Sequence, residues 1–231
     1  ALSDRLSARW GQPVVVDNKP GAGGLLGVDV AAKATDGHTV AMGFNGPVAF
    51  GPFLYRKMPY DPAKDLVPII MTTSQPNVLA VNAARVPAKN VAEFVAWAKA
   101  QGGKVNYSSL GNGSSAHLTM ELLMAEAGFA ATHIPFKGAT ESLNAVMGGQ
   151  VDFAMTITSV SLSQWKSGKI AVLGITSGAR NPALPEVPTL IEQGLAGVEI
   201  VSFGGLAVPA GTPVAIVRRI NEVLREALAN P

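Results

Sequence analysis

Residues 104–127 read KVNYSSLGNGSSAHLTMELLMAEA. KVNYSS is a short strand-forming run, and the pattern from Ser115 to Ala127 is that of an apolar-faced helix. Between them lie glycine, asparagine and serine, with one histidine just inside the helix. The unit is therefore strand, small polar loop, helix. The same rhythm continues downstream. THIPF precedes a helix carrying Leu143, Val146 and Met147, closed by Gly148 and Gly149. VDFAMT precedes a short helix around Trp165, and KIAVLGIT closes the series. Short β-branched runs alternating with helical patterns predict a parallel α/β sheet.

Upstream, Leu2, Leu6 and Trp10 mark an amphipathic helix that ends at Gly11 and runs into PVVV, a short strand over Val14–Val16. DNKPGAGG turns, Val28, Ala31 and Ala32 mark a second helix, and HTVAMG forms a strand ending in FNGPVAF. Pro59, Pro62 and Pro68 make LYRKMPYDPAKDLVPI turn-rich. NVLAVN, from Asn77 to Asn82, reads as a strand leaving the first sheet. Asn90, with Glu93 three residues on, caps the next helix. After the proline-rich NPALPEVPTL, EIVSFGGLAVPAGTP reads as a long strand crossing back. Ile216, Val217, Ile220, Val223, Leu224 and Leu228 mark a last helix. Exchanges of chain near Val81 and Ser202 predict two lobes joined by two strands, a hinge architecture. Lobe 1 comprises residues 1–81 plus 199–231, and lobe 2 residues 82–198.

Composition narrows the function. With 48% hydrophobic and 15% charged residues, a chain of 231 residues can bury a real core. A net charge of +2 without a dense Lys/Arg block argues against nucleic acid or an anionic membrane as partner. The absence of cysteine excludes disulfides, thiolate nucleophiles and cysteine-ligated metal. No charged-then-apolar leader opens the sequence and no apolar run is long enough to cross a bilayer, so a soluble molecule is expected, any export signal having been removed.

Sharper motifs fail in turn. Ser114 and His117 lie three apart and could share a helix face, but the Gly-x-Ser-x-Gly elbow is missing, and a first-turn serine usually caps backbone N–H groups. His38, His117 and His133 are scattered and lack metal-ligand spacing. Gly103-Lys104 and Gly168-Lys169 are followed by valine and isoleucine, not by the Ser or Thr of a P-loop. GAGGLLG, residues 21–27, only loosely echoes a dinucleotide fingerprint and is better read as a turn with a small-residue helix start. No cofactor and no metal are expected.

What remains is distributed. FNGP (44–47), GNGSS (111–115), FKGAT (136–140) and TITS (156–159) each place small polar residues where a strand gives way to a helix. Open α/β sheets bind ligands outside the carboxyl ends of their strands. Helix N-termini there offer free N–H groups and a partial charge of about +0.5, suited to a carboxylate.

Six ordered blocks carry a resemblance: GQPVVVDNKPGAGGLLG, LYRKMPYDPAKDL, NYSSLGNGSSAHL, IPFKGATESLNAVMGGQVDF, ALPEVPTL and GLAVPAGTP. Together they resemble the solute-binding receptors of tripartite tricarboxylate transporters, also called the Bug family, over essentially the whole chain. The resemblance implies a two-lobed α/β periplasmic-binding-protein fold of the Venus-flytrap kind (type II) with two crossover strands. It implies a monomeric periplasmic receptor that does no chemistry. Such a receptor closes on a small organic acid, a mono- or dicarboxylate or a tricarboxylate, and delivers it to two integral membrane subunits. The family's first strand and Pro/Gly-rich binding loop would precede Ala1, and its last helices would follow Pro231. Carried over by position, the ligand-binding residues are Asn45 and Gly46 in the first lobe, and Asn112, Gly113, Ser114 and Ser115 in the second, with Phe136, Lys137 and Gly138. Many relatives carry Asp-Asn after the VDF strand; here Thr156 and Ile157 stand instead. Thr156 joins the candidate set, and loss of the acid argues against an amino-acid ligand, whose ammonium wants a carboxylate. The rival readings are a cytoplasmic effector-sensing domain of the same fold and a Ser114/His117 hydrolase.

Overall fold

A computed structural model describes residues 2–229. The chain forms two compact units, Ala1–Thr73 with Phe203–Pro231 and Ser74–Ser202. Ala1, Asn230 and Pro231, which the expected lobe bounds include, lie outside the described residues.

In the first unit, α1 (Leu2–Trp10), α2 (Leu25–Ala32), β1 (Ala41–Phe44) and α3 (Gly51–Leu54) precede β2, a 16-residue strand over Leu66–Val81. β7 (Val201–Pro209) and α8 (Val214–Ala229) return to it. Its strands lie in the order β1-β7-β2, with β1 antiparallel to β7 through Ala41 opposite Ala207. Leu6 of α1 and Val223 and Leu224 of α8 pack with Ile69 and Val208, while Val28 of α2 packs with Tyr60, Leu66 and Ala207. Arg9 of α1 pairs with Glu226 of α8 at 3.1 Å.

Two expectations change here. Val14–Val16 is not a strand; Val15 and Val16 are 82% and 65% exposed. Strand propensity is realised only where a ladder partner exists, and no described strand pairs with this run. Conversely, the segment read as turn-rich already enters β2 at Leu66, with Pro68 and Pro76 inside the strand. Pro68 lies in this unit, where β2 is the outer strand of the three and a missing N–H need cost no ladder bond, and Pro76 precedes the residues paired with β5 and β6, which begin at Asn77.

The second unit carries the Asn77–Val81 half of β2 with α4 (Val91–Ala100), β3 (Asn106–Ser109), α5 (Ser115–Ala127) and β4 (Thr132–Pro135). α6 (Ala139–Met147), β5 (Phe153–Ile157), α7 (Thr158–Lys166) and β6 (Ala171–Ile175) follow. The strand order is β6-β2-β5-β3-β4. β3 is parallel to β4 and β5, whereas β2 runs antiparallel to both β5 and β6. The sheet is thus mixed rather than purely parallel, because β2 arrives directly from the other unit instead of through a helical crossover.

Side-chain alternation splits this core into two layers. Leu79, Tyr107, Phe153 and Met155 face α4 and α5, packing on Phe94, Met120 and Leu123. Val78, Ala80 and Ala154 face the other way, onto Leu143 and Val146 of α6. Phe94 is the hub of the first layer, edge-on to Phe153 at 4.9 Å and to Phe129 at 5.6 Å. Replacing it by alanine is expected to cost about 3–5 kcal/mol. Urea unfolding should show a lower midpoint with unchanged slope; an unshifted midpoint would mean the layer closes over the gap.

Candidate functional site

The parallel set β3, β4, β5 and β6 ends at one edge of the second unit's sheet. β2 is antiparallel to it, and the pairs Asn77 opposite Ile157 and Val78 opposite Ile175 bring the start of its second half to that same edge. Leu110–Ser114, Phe136–Gly138 and the first turn of α7 therefore gather there with Asn77.

The loop after β3 turns on two glycines in the left-handed region, Gly111 at φ 118° and Gly113 at φ 73°, conformations a side chain would strain. Ser114 is the N-cap of α5: its hydroxyl accepts the N–H of His117 at 3.2 Å and donates to the carbonyl of Gly111 at 2.7 Å. It is wholly buried, with donor and acceptor both engaged. The N–H groups of Ser115 and Ala116, the first two of the same turn, have no acceptor within the helix. At its other end, α5 stops at Gly128, in the left-handed conformation.

Beneath that turn lies a buried polar seam. Asn77 Nδ2 donates to Thr119 Oγ1 at 3.1 Å, Thr119 Oγ1 to the Ser115 carbonyl at 2.6 Å, and Ser115 Oγ to Asn77 Oδ1 at 3.4 Å. Asn77 N–H also meets Thr176 Oγ1 at 2.9 Å, just beyond β6. On the opposite face of the sheet, Ser142 Oγ donates to Ser108 Oγ at 2.8 Å. The sequence reading missed Asn77 and Thr119. Asparagine at the head of an apolar strand was the available signal, since a buried amide demands partners.

The other candidates differ in setting. Asn112 and Lys137 are exposed, Gly113 is buried, and Ser115 is 3% exposed. Phe136 packs on the second core layer and its N–H bonds to the carbonyl of Ser109 at 3.1 Å, which ties the β4 loop to the β3 loop. Gly138 is the N-cap of α6. Thr156 follows Ala154 on the α6 face of β5; it is 1% exposed and its hydroxyl has no hydrogen-bond partner. In the first unit, β1 passes straight into helix at Asn45. Asn45 is 5% exposed and its Oδ1 accepts the N–H of Phe203 at 2.9 Å. Gly46, buried, opens a π-helical turn, Gly46–Phe50, held by the Tyr60 hydroxyl on the carbonyl of Pro47 at 2.8 Å.

The three rings near the β3 loop form a stack. His117 lies 4.2 Å from His133, and His133 4.8 Å from Tyr107, measured between centroids. Burial, reinforced by the charge of His117, pushes His133 down to about 4. Burial also lowers His117, and Glu121 opposes it from 3.8 Å. Burial and a 2.6 Å hydrogen bond to Glu121 push the Tyr107 phenol up. His117 Nδ1 accepts the Gly113 N–H at 3.2 Å, so this ring is not bonded to Ser114 and makes no nucleophile–base pair with it. Among the described residues no cluster of three or more His, Asp or Glu could hold a metal. GAGG serves packing: the Phe44 ring fills the space a β-carbon on Gly24 would need.

Comparison with known proteins places the chain in a family. The family model described as "Tripartite tricarboxylate transporter family receptor" matches residues 1–231. The chain belongs to that family. Protein BugT of Bordetella pertussis is 34% identical over 229 residues, covering 98% of this chain and 70% of BugT. A structure of R. palustris Rpa4515 with adipate superposes with a TM-score of 0.92 at 32% identity, covering 96% of this chain and 75% of that one. MatC (Rpa3494) from Rhodopseudomonas palustris with bound malate gives 0.92 at 31% identity, covering 98% and 77%. The receptor thus has the two-lobed fold of periplasmic binding proteins, and its family is one of solute-binding receptors, not enzymes.

Two outcomes are expected. Thr156→Val removes a buried hydroxyl that lacks a partner, so the ligand-free receptor should gain about 1 kcal/mol in urea unfolding; a loss would reveal an unrecognised bond. The unfolded chain protonates His133 near 6.5 but the native state resists to about 4. The native state therefore binds fewer protons in that window, and stability should fall as pH drops through it. Unfolding measured across the range should show the decline, and His133→Phe should flatten it.

Proposed function

We propose that this receptor captures a small organic mono- or dicarboxylate in the periplasm, as a single copy, and hands it to two integral membrane subunits of a tripartite transporter. The supporting observation is the opening turn of α5. There a loop turning on Gly111 and Gly113 leads into a helix whose first N–H groups have no internal acceptor, above the seam of Asn77, Ser115 and Thr119. Such donors suit an anion and need no formal positive charge. Rpa4515 with adipate and MatC with malate are relatives of the same fold carrying aliphatic dicarboxylates.

We assign ligand contact to Gly113, to the turn at Ser114 and Ser115, and to Asn112, Phe136, Lys137, Gly138 and Thr156 in the second unit, and to Asn45 and Gly46 in the first. Ser114 serves through its cap: it shapes the turn that carries the donors, because its own hydroxyl is already bonded on both sides. Thr156 stands where an acid would hold an ammonium group, and its unpartnered hydroxyl is a neutral donor to a carboxylate oxygen or to a bridging water.

Calorimetry tests the class of ligand directly. Succinate, malate or adipate should bind at least about tenfold more tightly than glutamate or aspartate, the worth of one unpaired ammonium. Tighter binding of either amino acid would reverse the assignment. Ser115→Ala with Thr156→Val should weaken the best acid by about 1–3 kcal/mol. Unchanged affinity would reduce both hydroxyls to structural parts.

A further inference from the structure

The loop Gly111–Ser114 is braced at both ends by imidazoles. At its start, the Gly111 N–H bonds to Ser109 Oγ at 3.2 Å, and that oxygen stands 2.8 Å from His133 Nε2. Near its end, the Gly113 N–H bonds to His117 Nδ1. The two rings stack, 23° from parallel, so each fixes the plane of the other. Neither ring serves catalysis or metal binding, yet both are half-buried, from different elements, at the loop that opens α5.

We propose that His117 and His133 are positioning residues that hold this loop in its anion-binding shape, and that charging His117 releases it. The inference rests on the proposed role of α5's opening turn. The reason is chemical. An acceptor at Nδ1 requires a neutral ring with its proton on Nε2, toward Glu121. When Nδ1 is protonated, the ring turns from acceptor to donor and repels the Gly113 N–H. It also places a cation face to face with His133. The titratable groups around the pair are Glu121 from α5 itself, Tyr107 from β3, and the two rings on one another across α5 and β4. Glu121 is shared between Tyr107 and His117, at 2.6 and 3.8 Å, so the closer phenol engages it first and it only partly relieves a charged His117. Ligand affinity is thereby coupled to pH through a side chain that itself need not touch the ligand.

Binding of succinate, malate and adipate by the full chain, read by calorimetry at pH 7.5 and 5.5, is the first arm. For the tightest of them the parent should bind about two- to fourfold more weakly at the lower pH, because burial keeps part of His117 neutral there and only the charged fraction releases the loop. His117→Leu should be weak at both values. His117→Asn places an amide oxygen near Nδ1 without a titrating proton, so it should restore binding and bind with little pH dependence. Because ligand ionisation is common to all three proteins, an asparagine variant with the parent's pH dependence would overturn the proposal. So would a leucine variant binding as tightly as the parent at pH 7.5. If none of the three acids binds the parent, the carboxylate reading fails, and the second arm judges the histidines alone. In that arm, the NMR amide signal of Gly113 in the ligand-free protein should shift with the same midpoint as the His117 ring. A Gly113 signal that stays still while His117 titrates would end the idea.

Discussion

Asn77 is wholly buried at the point where β2 joins the second sheet, and all its polar groups are spent on that junction. Its N–H and carbonyl bond to Thr176, its amide donates to Thr119 and its amide oxygen accepts from Ser115. These bonds set β2 opposite Ile157 and Ile175 in register. A slip of one residue would reverse every side chain of the strand between the two core layers. The same residue supports the first turn of α5. The sheet's register and the position of the donor-bearing helix end are thus one constraint. Thr176 extends it, since its hydroxyl and backbone also bond to Ile200, just before β7.

The proposed binding edge is built with neutral dipoles. No Arg or Lys lies among the buried residues of this edge, and the polar side chains there are Asn, Ser and Thr. Burying a formal charge for most of a receptor's lifetime would demand a partner. Helix N–H groups and hydroxyls carry a smaller desolvation penalty while the site is empty, yet several of them acting together can hold a carboxylate. Thr156 illustrates the trade. Its hydroxyl is left without a partner at the foot of the β5 loop, which lowers stability and keeps a donor in reserve.

Much of this was legible locally. The Ser115–Ala127 helix, its serine cap, the strand–loop–helix rhythm after residue 104 and the long returning strand near Ser202 follow from periodicity, caps and glycines, and each appears where those signals put it. Pro68 misled, because proline's missing N–H is harmless on an outer strand, which β2 is in the first unit, and prohibitive only on an inner one. Val14–Val16 misled in the opposite sense, its β-branched run having no partner. Asn77 carried a local signal, but its partner did not, because Thr119 stands 42 residues away and meets it only where α5 packs on the sheet.

Sequence alone determined which segments become strands or helices in the second unit, where small polar loops interrupt them, and which family the chain resembles. Those are properties of neighbouring residues, set by backbone preference and side-chain period. Only tertiary structure decided that Thr156 keeps an unpaired hydroxyl. It also decided that β2 enters antiparallel and that His117 and His133 stack. Each of these depends on which distant group arrives at hydrogen-bonding distance, and pairing between remote segments is fixed by the packing of the whole sheet, not by any local pattern.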